Sequence, residues 1–165
     1  MGERVVGSEY VKMTPPADKT IWSATVNKKS VELLINSNAV LLDVLRDQVG
    51  TLGVKRGCDL GTCGCCTVMI DGEPRLSCLC LAGQVSKTSI TTVEGLADGA
   101  HLAPIQACFA KYGGSQCGFC TPGFLVASQA LLVDNPSPTD QEIAEAIEGN
   151  LCLLYTSPSP RDVCS

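Results

Sequence analysis

The chain has 165 residues, a formal net charge of −5, 4% aromatic residues and 11 cysteines. The acidic balance argues against a nucleic-acid or anionic-membrane surface, and the odd cysteine count argues against a complete internal disulfide framework. A chain of this length can form one domain of usual size or two small ones.

Residues 1–20 carry Glu3, Arg4, Glu9, Lys12, Asp18 and Lys19, have no apolar core and include Pro15-Pro16. They read as a flexible lead-in, neither a secretion signal nor a span, with no twin-arginine pair. No later run reaches the length of a membrane-spanning segment. A cytoplasmic setting is the expectation. Ile21–Val26 and Val31–Ile35 flank a polar break at Asn27-Lys28-Lys29, which predicts a β-hairpin. Val40, Leu41, Val44 and Leu45 then recur at helical spacing, and Gly50 is the stop signal.

Next comes Gly57-Cys58-Asp59-Leu60-Gly61-Thr62-Cys63-Gly64-Cys65-Cys66, followed by Cys78. The spacing C-x4-C-x2-C with a further cysteine downstream is that of a plant-type [2Fe–2S] site. A compact cluster needs thiolates converging from several sides, so one loop supplies three and a neighbouring segment the fourth. Gly57, Gly61 and Gly64 would let such a loop adopt positive φ and bring N–H groups to the sulfurs. Zinc and disulfides are the competing readings. Structural zinc usually pairs two knuckles, and nothing in the chain signals an oxidising compartment. With aromatics so scarce, bound clusters would also replace part of the core by cross-linking loops.

Thr67–Ile70, the turn Asp71-Gly72 and Pro74–Leu76 predict a second hairpin, and Ser89–Val93 a last short strand. Gly95–Gly99 reads as a linker, after which the periodicity is helical. Leu102, Ile105, Gln106 and Phe109 mark one helix ending at Gly113-Gly114. Thr121-Pro122 offers an N-cap with proline at the first helical position of a second helix, broken at Asn135–Pro138. Thr139 and Glu142 form a capping box for a third helix, with Gly149-Asn150 at its end. This half has its own cysteines, Cys117 and Cys120 between two helices and Cys152 after the third. A thioredoxin-like redox pair lacks its βαβ surroundings, and structural zinc is a further alternative; a second cluster held between helix ends is the better reading. The expected division is 1–20 lead-in, 21–96 ferredoxin-like domain, 97–152 helical domain and 153–165 tail.

Taken together, Gly57-Cys58-Asp59, Gly61-Thr62-Cys63-Gly64, Cys66-Thr67-Val68, Asp71-Gly72, Ser77-Cys78-Leu79, Glu94-Gly95-Leu96, Gln116–Gly123 and Gly149-Asn150-Leu151-Cys152 resemble the small iron–sulfur subunit of the molybdenum hydroxylases. That family includes xanthine dehydrogenase, aldehyde oxidoreductase and aerobic carbon monoxide dehydrogenase. The resemblance covers about residues 22–152. It implies an α+β fold, a plant-ferredoxin-like β-grasp domain followed by a small helical bundle, each with one [2Fe–2S] cluster. It further implies Cys58, Cys63, Cys66 and Cys78 as ligands of the first cluster, Cys117, Cys120 and Cys152 as ligands of the second, and Gln116 beside the pterin of a partner. The partners implied are a molybdopterin-binding large subunit and an FAD-binding medium subunit or another acceptor. The chain itself would do no substrate chemistry.

The match stops at Cys152. The family continues with arginine and a second cysteine, whereas Leu154 stands at that fourth ligand position and a Ser/Pro-rich tail follows. Three explanations compete. The tail is foreign sequence on a truncated subunit; or Cys164, Cys108 or an outside ligand completes the site; or the second cluster is absent. Cys65 stands where the family has a small residue and reads as an inert neighbour, with core packing expected for Cys80, Cys108 and Trp22. His101 reads as the start of a helix, and a single histidine excludes a Rieske centre. Lys55 and Arg56 read as solvated, and Asp59 as structural in its loop. The leading function is electron transfer in an oxidoreductase complex; a freestanding ferredoxin and a zinc-stabilised interaction module are the alternatives.

Overall fold

The computed structural model describes residues 18–152. The greater part of the expected lead-in and the tail with Leu154 and Cys164 lie outside the described residues. Five strands form one mixed sheet in the order β2-β1-β5-β3-β4. β1 (Lys19–Val26) and β2 (Lys29–Asn36) are the first hairpin, antiparallel with Trp22 opposite Leu33. Asn27 and Lys28 both have positive φ, at 49° and 67°, the backbone a two-residue hairpin turn needs to match strand twist. β3 (Thr67–Ile70) and β4 (Glu73–Leu76) are the second hairpin, turning at Asp71 and Gly72. β5 (Ser89–Thr91) pairs parallel to β1 and antiparallel to β3, joining the hairpins. It is shorter than the sequence suggests, because Val93 already belongs to a 3-10 turn that runs to Leu96.

Alternation along β1 turns Trp22, Ala24 and Val26 inward, as a half-buried strand requires. Against them lies α1 (Leu41–Asp43), which continues as a π-helical turn over Val44–Val49 and buries Leu41, Leu42, Val44 and Leu45 completely. Gly50 ends it at φ 85°, with its N–H on the Leu45 carbonyl. Backbone bonds from Leu41 to the Cys80 carbonyl and from Ala82 to the Ala39 carbonyl, both 2.8 Å, tie the segment after Cys78 to this helix. Cys80 packs against the core as expected.

Beyond the sheet come α2 (Pro104–Lys111), α3 (Thr121–Asp134) and α4 (Asp140–Ile147). α3 buries Gly123, Leu125, Val126, Ala127 and Ala130 and contacts β3, β4 and both other helices. It begins one residue earlier than read: Cys120 is the N-cap and Pro122 the second helical residue. α4 carries its capping box, the Glu142 amide donating to Thr139 Oγ1 at 3.3 Å and the Thr139 amide to Glu142 at 2.7 Å. Two expectations are corrected. Cys108 is exposed on α2, not packed in a core, because α2 buries no residue. His101 does not start the helix; it makes a backbone bridge with Asp98, and α2 begins at Pro104. The architecture is α+β, a mixed sheet with helices.

Candidate metal centres

The cysteine loop between α1 and β3 folds on local backbone chemistry. Asp59, Gly61 and Gly64 take φ of 56°, 71° and 71°, reversing the chain so that the Leu60 and Thr62 amides both donate to Cys58 Sγ at 3.4 Å. Gly57 is not in the left-handed region. It is glycine for space, since a Cβ there would lie 2.7 Å from Cys63 Sγ and 3.2 Å from Cys65 Sγ. Arg56 pairs with Asp43 of α1 and with Asp59, so it is held in an ion-pair bridge and not merely solvated. This pairing pins the loop to the helix. At the other end, Ser77 donates through both N–H (3.2 Å) and Oγ (2.8 Å) to the Cys66 carbonyl, which places Cys78 beside the loop.

Cys58, Cys63, Cys66 and Cys78 line one small cavity, closed on one side by the buried Leu42. The thiols fall into neighbouring pairs, Cys58 with Cys63 and Cys66 with Cys78. The Thr62 side chain and the Leu60 amide lower the Cys58 thiol to about 6, because both stabilise its thiolate. Burial, then the Cys66 neighbour, pushes Cys78 up to about 12, and burial also raises Cys63. Such raised thiols bind metal only with loss of a proton, so loading favours higher pH. Among the described residues no group of three or more His, Cys, Asp or Glu converges on a single metal-ion position. Four thiols around one cavity at this spacing suit a binuclear centre with two protein ligands per iron.

Cys65, by contrast, does not line that cavity. It is buried, its thiol lies 3.8 Å from the Cys63 carbonyl and beside the Cys63 thiol, and burial pushes it up to about 12. The helical half brings Cys117, Cys120 and Cys152 to a second cavity of about 390 Å³, with Gln116, Phe109 and Phe124 also on its wall. Cys120 and Cys152 are neighbours, and burial followed by that neighbour raises the Cys120 thiol. The position of Leu154 lies outside the described residues.

Sequence reading missed what joins these sites. Asn150 Nδ2 donates to the Gly64 carbonyl at 3.0 Å, and the Leu151 amide to the Cys63 carbonyl at 2.9 Å. The only signal was the placement of Asn150 within Gly149-Asn150-Leu151-Cys152, which says nothing of a partner 86 residues away.

Two sequence profiles match the chain: a 2Fe-2S iron-sulfur cluster binding domain over residues 11–110 and a [2Fe-2S] binding domain over residues 92–153. The chain is 42% identical over 135 residues to the nicotinate dehydrogenase small FeS subunit of Eubacterium barkeri, covering 82% of this chain and 86% of that one. It is 44% identical over 137 residues to the nicotine 6-hydroxylase small subunit of Paenarthrobacter nicotinovorans, covering 83% and 82%. Among solved structures, a chain of quinoline 2-oxidoreductase from Pseudomonas putida 86 superposes with a TM-score of 0.79 at 44% identity, over 81% of this chain and 83% of that one.

Proposed function

The chain belongs to the small [2Fe–2S] iron–sulfur subunits of the molybdenum hydroxylases, and from that membership we propose that it relays electrons from a molybdopterin-containing large subunit to a flavin or other acceptor. The observation that carries this reading is the pairing of four thiols around one cavity. Cys58, Cys63, Cys66 and Cys78 would hold one cluster, and Cys117, Cys120 and Cys152 would offer ligands to a second. When bound, a [2Fe–2S] cluster supplies a one-electron store.

The chain's own groups set the conditions for that store. The Leu60 and Thr62 amides stabilise negative charge on Cys58, as N–H groups aimed at sulfur do. Leu42 keeps water from one side of the first cavity. Gln116, on the wall of the second cavity, would be the residue beside a partner's pterin. No helix among the described residues is long and apolar enough to cross a membrane, and a cytoplasmic location goes with this reading. The division at 96/97 assigns one cysteine group to each half. An FAD-binding medium subunit or another electron acceptor would take the electrons.

Anaerobic reconstitution followed by iron and acid-labile sulfide assays tests the proposal. About four irons per chain support two clusters and about two support one, whereas zinc without sulfide overturns the redox reading. The same assay with EPR on Leu154→Cys examines the second site. One rhombic signal in the native chain and two in the variant are expected. Copurification with a large molybdenum subunit separates this role from that of a freestanding ferredoxin.

A further inference from the structure

The two cysteine groups meet at one point. Asn150 follows α4 and precedes Leu151-Cys152, and its side chain holds the Gly64 carbonyl while the next amide holds that of Cys63. The approach is tight. A Cβ on Gly64, itself at φ 71°, would lie 2.8 Å from Asn150 Cα, and a Cβ on Gly123 in α3 would lie 2.9 Å from Asn150 Nδ2. The cysteine loop, the first turn of α3 and the segment after α4 thus pack closely, with the Asn150 side chain at their meeting point.

We infer that Asn150 is a positioning residue that clamps the Cys152 segment onto the Cys63-Gly64 backbone and so sets the separation of the two cysteine groups. The inference rests on both groups holding iron–sulfur clusters. One electron lost by one cluster is gained by the other, and no atom moves, so distance and intervening bonds are what the protein controls. Cys63 connects to Cys152 through backbone and the one hydrogen bond from Leu151. The Asn150 side chain, one residue away, holds that bond in register.

The test reads hydrogen exchange on the full chain and dipolar splitting on its Leu154→Cys form, which is expected to hold both clusters, each reconstituted anaerobically with Asn150 intact, Asn150→Ala or Asn150→Asp. Aspartate keeps the shape of asparagine and lacks the donor. Two readouts apply besides iron content: hydrogen exchange of the Leu151 amide, and dipolar splitting between the two reduced clusters in EPR. In both variants the Leu151 amide is expected to exchange about five- to tenfold faster, the factor one net hydrogen bond contributes. Dipolar splitting is expected to fall at unchanged iron content. Unchanged exchange and splitting overturn the inference, as does lowered iron content with the splitting of loaded chains preserved, which marks a merely structural residue. Iron of only about two per chain in both forms overturns the two-cluster reading together with the inference; about four with unaltered splitting overturns the inference alone.

Discussion

Gly57 and Gly61 stand four residues apart in one loop and are glycines for different reasons. Gly61 supplies a left-handed turn at φ 71°, whereas Gly57 leaves room for the sulfurs of Cys63 and Cys65. Gly57→Ala is therefore expected to displace the Cys63 sulfur, destabilise the protein by about 1–3 kcal/mol as overpacked sites do, and lower iron loading. Denaturant titration and an iron assay read both effects. Cys65 and Cys66 are likewise adjacent and unlike. Cys66 lines the first cavity and Cys65 does not. Cys65→Ala should keep the iron and sulfide content of the native chain, while Cys66→Ala should lose the first cluster's visible absorption; depleted iron in Cys65→Ala would refute this assignment. The cysteine spacing made the grouping legible, because ligand geometry repeats in sequence. The bridge from Arg56 to Asp43 and Asp59 was not legible, since it depends on how α1 is laid against the loop.

At the scale of elements, what the sequence disclosed was what is settled locally. Asn27-Lys28 and Asp71-Gly72 announce hairpins, and Thr139 with Glu142 announces α4, because each feature is completed within a few residues. The π-helical turn was hidden. It arises where the Leu45 carbonyl accepts from the Gly50 amide and from Thr51 through both N–H (2.9 Å) and Oγ1 (2.8 Å), an arrangement chosen by packing. The capping box yields a prediction with a definite sign. The Thr139 backbone and side chain hold the Glu142 carboxyl below its usual range, so its contribution is present above the unfolded value and lost as pH falls through the lower folded one. Protection of the first amides of α4, taken relative to their intrinsic exchange rates, should fall on acidification through the carboxylate range. That protection should not change over the same range in Glu142→Gln. Thr139→Ala is expected to cost about 1 kcal/mol in a denaturant titration, as loss of an N-cap does.

The whole molecule is held unevenly. Trp22, Ile35, Leu41, Leu45, Val68 and Ile90 make a closed core between sheet and α1, whereas α2 and α4 bury no residue and α3 alone presents a buried face. A segment's resistance to opening follows the apolar surface it buries and the bonds that close it. The sheet therefore has a stability of its own, and the cysteine loop with the outer helices depends more on what binds the thiols. Metal that binds only the folded state stabilises the segments that hold it. Removing iron anaerobically with a chelator should leave β1 and β2 protected against hydrogen exchange, while residues 57–66 and the amides of α2 and α4 lose protection. The melting temperature should fall at the same time. Near-coincident melting curves with and without iron would mean that the thiols are held without the metal. Equal loss of protection across sheet and helices would mean that the two halves share one cooperative unit, contrary to the uneven burial.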